Sequence, residues 1–289
     1  MAIATVIAAG RLDDRLLGAA LDAVPGARFD RWIDEGDAAD LACDGEPAAI
    51  RAALAAIAGL DVAILPDRRP AYRLFVADMD STMIGQECID ELADYAGVKP
   101  QVAAITERAM QGELDFREAL AERVALLRGL DRGVIDRCRD ERIRPNPGAA
   151  TLVATLRAHG VKTALVSGGF TAFVEPIAEE LGFDRSRANV LGIDGVRLTG
   201  TTVGEIVDGS AKERFARDLV EETGASAAQL IAVGDGANDS KMVSLAGLGV
   251  AYRAKPALDA VADAAIRHHP LTALLWMIGI PKAAWVRVP

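Results

Sequence analysis

Two aspartates separated by one residue, Asp78 and Asp80, follow directly on the apolar run Leu74-Phe75-Val76-Ala77 and lead into Ser81-Thr82. On an extended segment, residues two apart project to the same side, so both carboxylates face one place. Such a pair can divide the work, one carboxylate attacking as a nucleophile while the other moves protons. Both can instead hold a hard cation through oxygen, and a solvated acidic loop is the plain alternative. Three further clusters weigh against that alternative. Ser167-Gly168-Gly169 offers a hydroxyl and closely spaced backbone N–H groups, which suit a phosphate. Gly234-Asp235-Gly236-Ala237-Asn238-Asp239 offers a Mg²⁺ ligand in Asp235, with glycines that let the backbone approach it. Lys212 stands at the start of a predicted helix just before that cluster and can neutralise a phosphoryl group.

These residues need elements to bring them together. Apolar runs at 74–77, 163–166, 230–233 and 249–252 read as buried parallel strands, and the first three run straight into the clusters above. Open α/β sheets bind their ligands at the carboxyl ends of parallel strands. About 85 residues separate the first two strands, whereas a crossover needs only about a dozen. The excess, about 85–145, has helical periodicity at 88–96, 99–110, 115–127 and 131–142 and stops at Pro145-Asn146-Pro147-Gly148. It is predicted to be an inserted helical cap over the active-site end of the sheet. Ahead of the strands, Pro66-Asp67-Arg68-Arg69-Pro70 reads as a linker. The residues before it spell βαββαβ, the order of a ferredoxin-like unit of about 65 residues. The expected organisation is therefore an N-terminal domain at 1–70 and a doubly wound, Rossmann-like α/β domain at 71–289.

With these residues in place, the sequence resembles the haloacid dehalogenase-like hydrolases, and more narrowly the phosphoserine phosphatases, over about residues 72–266. Their first motif matches Asp78 to Thr82, their serine Ser167, their lysine Lys212 and their GDGxND motif Gly234 to Asp239. A glutamate nine residues after the first aspartate matches Glu87. A cap run matches Ala109-Met110-Gln111-Gly112-Glu113-Leu114-Asp115-Phe116, and an Arg-Val pair matches Arg123-Val124. The first 70 residues are less alike and are similar to a degenerate ACT-type domain. The resemblance implies Mg²⁺-dependent hydrolysis of O-phospho-L-serine, the last step of serine synthesis, through an aspartyl-phosphate on Asp78. Asp80 would be the general acid and base. The metal would sit on Asp78, the backbone carbonyl of Asp80, and Asp235, with Asp239 behind them. Ser167, Gly168, Lys212 and Asn238 would hold the phosphate. Arg123 would grip the substrate carboxylate, Glu87 its ammonium, and Met110 and Phe116 would line the cap side. Other readings are a phosphatase or phosphotransferase for another small phosphomonoester, and an amino-acid-sensing regulatory protein. Glu87 with Arg123 favours an amino-acid headgroup, and the complete catalytic set counts against a relic.

The charge balance limits the partners. With 32 basic against 42 acidic residues and a net charge of −10, wide nucleic-acid or anionic-membrane surfaces are excluded, while a small anion can still use a local cluster. The content, 51% hydrophobic and 26% charged, is that of a globular chain. Cys43, Cys88 and Cys138 are odd in number and unpatterned, which fits a reducing compartment and no zinc knuckle. No basic region precedes the short N-terminal apolar run, and the late run 271–280 is far short of the ~20 residues of a membrane span. A cytoplasmic protein is expected, and a homodimer through the N-terminal domain is compatible with the pattern. His159 before Gly160 reads as a helix end, His268-His269 as a pair lacking a third ligand, and Trp276 and Trp285 as packing residues.

Overall fold

The computed structural model describes residues 2–66, 69–110 and 113–288; Asp67 and Arg68 of the expected linker lie outside the described residues. From the start of the chain come β1 (Ala2–Leu12), α1 (Asp14–Ala23), β2 (Arg28–Asp34), β3 (Gly36–Cys43), α2 (Pro47–Ala55) and β4 (Asp61–Pro66). Helix α1 starts where Asp13 accepts the N–H of Leu16, and α2 where Pro47 fills the first turn. The strands pair antiparallel in the order β2-β3-β1-β4. Val6, Leu41, Ile50, Leu54 and Leu60 form the core between this sheet and its helices.

The chain continues through β5 (Leu74–Ala77) into four helices, α3 (Cys88–Tyr95), α4 (Lys99–Met110), α5 (Phe116–Ala125) and α6 (Gly133–Arg142). Then follow α7 (Ala149–Ala158), β6 (Lys162–Phe170), α8 (Thr171–Leu181), β7 (Arg185–Asp194), β8 (Arg197–Val203) and α9 (Gly209–Thr223). The last elements are β9 (Leu230–Gly234), α10 (Ser240–Leu245), β10 (Leu248–Tyr252), α11 (Pro256–Asp259), β11 (Ala264–Ile266) and α12 (Ala273–Met277). Strands β11-β10-β9-β5-β6-β7 lie side by side in parallel, and β8 closes the far edge antiparallel. Every residue of β5, β9 and β10 is buried, as helices on both faces require. The chain progresses one way from β5 through β6 to β7, and the other way from β9 through β10 to β11. The loops after β5 and β9 therefore part, and a crevice opens at that switch point.

Three features depart from the local pattern. Ser167-Gly168-Gly169, which follows the strand predicted at 163–166, is itself extended backbone within β6, whose register with β7 shifts between Val166 and Phe170. The β7–β8 hairpin had no counterpart in the sequence reading; it bonds backbone to backbone with the turn after α5, Gly129 N–H to Leu198 O at 2.8 Å and Leu198 N–H to Leu130 O at 2.9 Å. Most consequentially, β4 pairs antiparallel with β11, Ala63 opposite Ala264 and Val62 opposite Ala265, so that eleven strands form one sheet.

Buried polar groups reinforce that junction. The Asp61 carboxylate accepts backbone N–H groups of Arg267, His268 and His269 and faces His269 Nδ1 at 2.7 Å, while His269 Nε2 accepts the N–H of Ala9 at 3.1 Å. Asp40 accepts from Thr5, Arg31 and Arg69, and Arg69 Nε donates to Met277 O. His269 is thus a structural clasp. Among the described residues no helix is long and apolar enough to cross a membrane.

Candidate active site

The loop after β5 is fixed residue by residue. Asp78 remains extended, its N–H bonded to Val233 O on β9 at 3.0 Å. Asp80 is extended too, and Ser81 then takes a left-handed backbone at φ 56°, a conformation that persists only where neighbours hold it. They do: Ser81 N–H donates to Gln86 O, and its hydroxyl donates to Glu87 Oε1 at 2.7 Å. Asn146, from the segment that ends the helical insertion, donates to Thr82 O and Ile84 O. The turn that presents the two aspartates therefore also fixes Glu87.

Lys212 lies in the first turn of α9, whose N-cap Asp208 accepts the N–H of Ala211. Its ammonium is 2.6 Å from Asp78 Oδ1 and 2.7 Å from Asp239 Oδ1, and all three side chains are buried. Asp239 Oδ2 also accepts the N–H groups of Asp235 and Gly236. A side chain at Gly234 would collide with the Asp239 carboxylate, which explains the glycine. Burial raises the Asp78 carboxyl well above the usual range, Asp239 adding to the effect and Lys212 opposing it. Burial alone would lower Lys212, but Asp239 and Asp78 outweigh it and hold the ammonium charged. Asp235 is pushed up to about 6 by burial and by Asp239.

This arrangement fits a divalent cation. Asp78, Asp235 and Asp239 each bring a carboxylate oxygen within 4.8 Å of the others. One buried ammonium against three carboxylates leaves surplus negative charge, and all the donors are oxygen, the ligand a hard ion prefers. Asp239 is committed to Lys212 and two N–H groups, whereas Asp78 and Asp235 open onto the neighbouring cavity.

That cavity has a volume of about 370 Å³ and lies between the strand ends and helices α3, α4 and α5. Asp80 accepts the N–H of Cys88 at 2.9 Å on one oxygen and the hydroxyl of Ser167 at 2.9 Å on the other. Ser167 Oγ in turn accepts the N–H of Gly169 at 2.8 Å. A Cβ on Gly169 would fall 2.7 Å from Asp80 Oδ2, so glycine is needed there. Glu87 reaches water through the cavity, yet the protein around it desolvates the carboxyl and, with Asp80, pushes it up to about 7. The half-buried Arg123 donates through Nε to Ala119 O at 3.2 Å. Burial lowers it, and Asp90 and Glu87 pull it back up. Gly168, Asn238 and Phe116 line the same space; the side chain of Met110 lies outside the described residues.

Sequence reasoning overlooked Asp90, Thr106 and Lys255 on the cavity wall. Asp90 was within reach: it falls three residues beyond Glu87, one helical turn on the same face. Lys255 follows no motif or period. Outside the cavity, His159 is the C-cap of α7, Cys88 is buried, and the rings of Trp276 and Trp285 pack 5.0 Å apart.

A family model described as haloacid dehalogenase-like hydrolase matches residues 75–244. A phosphoserine phosphatase of Streptomyces coelicolor is 45% identical over 230 residues, 79% of this chain and 56% of that protein. One of Albidiferax ferrireducens is 46% identical over 215 residues, covering 73% of this chain and 91% of that protein. The unliganded crystal structure of a probable phosphoserine phosphatase from Vibrio cholerae superposes with a TM-score of 0.79 at 34% identity, covering 98% of this chain and 88% of that one. The chain spans between half and two-thirds of the length of the first curated relatives it matches, 56%, 65% and 51%.

Proposed function

The chain belongs to the haloacid dehalogenase-like hydrolases, and from that membership we propose that it hydrolyses O-phospho-L-serine to L-serine and inorganic phosphate. The observation that carries the reading is one cavity shared by Asp78 and Asp80 with Glu87 and Arg123. The first pair suits phosphoryl transfer, and the second suits an amino acid's ammonium and carboxylate. The likeness to phosphatases named for phosphoserine supports the same substrate. We read α3–α6 as a cap over the reacting atoms and residues 1–70 as an ACT-type domain. A cytoplasmic place at the end of serine synthesis belongs to the same reading.

In the proposed mechanism Asp78 attacks phosphorus, forming an aspartyl-phosphate, while protonated Asp80 gives its proton to the departing serine oxygen. Asp80, now a carboxylate, takes a proton from the water that attacks phosphorus and frees Asp78. The bonds from Ser167 Oγ and Cys88 N–H hold the Asp80 carboxyl in place beside Asp78. Lys212 fixes the attacking carboxylate, and Asp239 fixes Lys212. A Mg²⁺ ion on Asp78, Asp235 and the backbone carbonyl of Asp80 would neutralise charge on the phosphoryl oxygens. Backbone N–H groups near Gly168 and the amide of Asn238 suit the remaining phosphoryl oxygens.

Phosphate release tests the reading directly, from L-phosphoserine beside phosphothreonine, a sugar phosphate and an aryl phosphate, each with Mg²⁺ and with chelator. The expected result is Mg²⁺-dependent turnover with phosphoserine favoured by about 100-fold or more. Turnover of the aryl ester alone would retire Glu87 and Arg123 as readers of serine. No turnover of any ester would overturn the proposal.

A pH profile isolates Glu87. Desolvation and the neighbouring Asp80 push its carboxyl up to about 7, so as pH falls through that region it becomes neutral and offers the substrate ammonium no charge. kcat/KM for phosphoserine is expected to rise as pH climbs through about 7. Glu87→Gln should lose that limb together with about 100-fold in kcat/KM. An aryl phosphate has no ammonium and serves as control; the same limb there would assign it to another group.

A further inference from the structure

Among the described residues, two other than glycine have left-handed backbone, Ser81 at φ 56° and Arg253 at φ 45°. Ser81 belongs to the loop that presents Asp78 and Asp80. Arg253 belongs to the loop after β10, at the same end of the sheet, and no step above uses it. Two contacts hold its conformation: its N–H donates to Ile266 O at 2.8 Å, and its guanidinium lies 5.2 Å from the centre of the Tyr252 ring. Two residues on, the N–H of Lys255 donates to Asp235 O at 2.9 Å. Strain of this kind gathers where a side chain must be aimed. Here the kink turns the chain off β10 and brings Lys255 to the cavity wall that it shares with Asp78, Asp235 and Asn238.

The Lys255 ammonium makes no hydrogen bond or ion pair among the described residues. Its charge still reaches Glu87 and Asp235, where it opposes the effect of burial on both. The other cations of the site are engaged. Lys212 is locked between Asp78 and Asp239, and Arg123 sits on the α5 side in the field of Asp90 and Glu87. A phosphomonoester dianion must pass a wall bearing Asp78, Asp80, Glu87, Asp90 and Asp235. An uncommitted cation there offsets that repulsion and the loss of water around the phosphate.

We propose that Lys255 is a second phosphate-binding cation, contacting the phosphoryl group of the entering ester and the phosphate product; this rests on the phosphomonoesterase reading above. A compact ammonium on a flexible stem suits a point-charge contact that must form and release in each cycle.

Lys255→Ala tests it, because alanine keeps the backbone N–H that holds Asp235. KM for phosphoserine and the inhibition constant of inorganic phosphate are expected to rise about tenfold together, with kcat changing less than about threefold. Lys255→Arg, which keeps the charge, should recover both constants to within about threefold of the parent. Unchanged KM and phosphate inhibition in Lys255→Ala would overturn the assignment and leave the reaction standing. If the parent chain cleaves no monoester, the proposed function fails on its own. Calorimetric titration with inorganic phosphate, which needs no turnover, then decides Lys255: equal binding by parent and variant overturns it, and weaker binding by the variant supports it.

Discussion

Replacing Asp78 by asparagine is expected to reduce phosphate release from phosphoserine by at least about 10⁴-fold while leaving the fold intact. The amide cannot form the acyl-phosphate bond, and Asp80, whose oxygens accept from Cys88 and Ser167, is committed to proton transfer in the proposed mechanism. The prediction has a structural half. Burial holds the Asp78 carboxyl well above its usual range, so ionised Asp78 is costly where it sits. Asparagine removes that charge and leaves Lys212 paired with Asp239 alone. Thermal unfolding in chelator should therefore show a midpoint equal to or above that of the parent. Activity within tenfold of the parent would refute Asp78 as nucleophile; a collapsed midpoint would refute the account of its burial.

Lys212→Met inverts that experiment. The ammonium is the shared partner of two buried carboxylates, and removing it leaves both without a cation. Breaking a buried pair from one side costs about 3–5 kcal/mol, and urea unfolding in chelator should register a loss of that order. Activity should fall by about 10³-fold, because the attacking carboxylate loses its anchor. Adding Asp239→Asn to Lys212→Met removes one of the two stranded charges and should return part of the stability but none of the activity. A double variant no more stable than Lys212→Met would mean that the Asp239 charge is not what the lysine neutralises.

Much of the site was readable in the chain because its parts are local. Asp78 and Asp80 follow a four-residue apolar run, Asp235 to Asp239 follow another, and each run proved to be a fully buried parallel strand. Lys212 needed only a helix start, which Asp208 provides. What escaped notice depends on distant partners. Ser167 reads from its type as a residue that suits a phosphate, and the bond from its hydroxyl to Asp80, 87 positions away, leaves no mark in the sequence. Lys255 lines the cavity two residues beyond an arginine with left-handed backbone, which no periodicity announces. The three residues of β11 are too few to show a pattern, and their pairing with β4 joins segments about 200 positions apart. The His268-His269 pair lacks a third ligand in its own stretch of sequence; Asp61, far away in the chain, supplies the structural reason for the second histidine.

The seam between β4 and β11 bears on how the molecule comes apart. Ala264-Ala265-Ile266 would otherwise be the outermost strand of the parallel array, with bare N–H and C=O groups ready to template another chain. The β4 strand covers that margin, and Asp61 closes the last backbone donors beyond it. The first 66 residues thus act as a selvedge as well as a layer of their own. Melting either half first would strip the other of its border, so each half lends the other stability across this seam. A chain begun at Leu74 would keep Asp78, Asp80, Asp235 and Asp239 and leave the β11 margin unpaired.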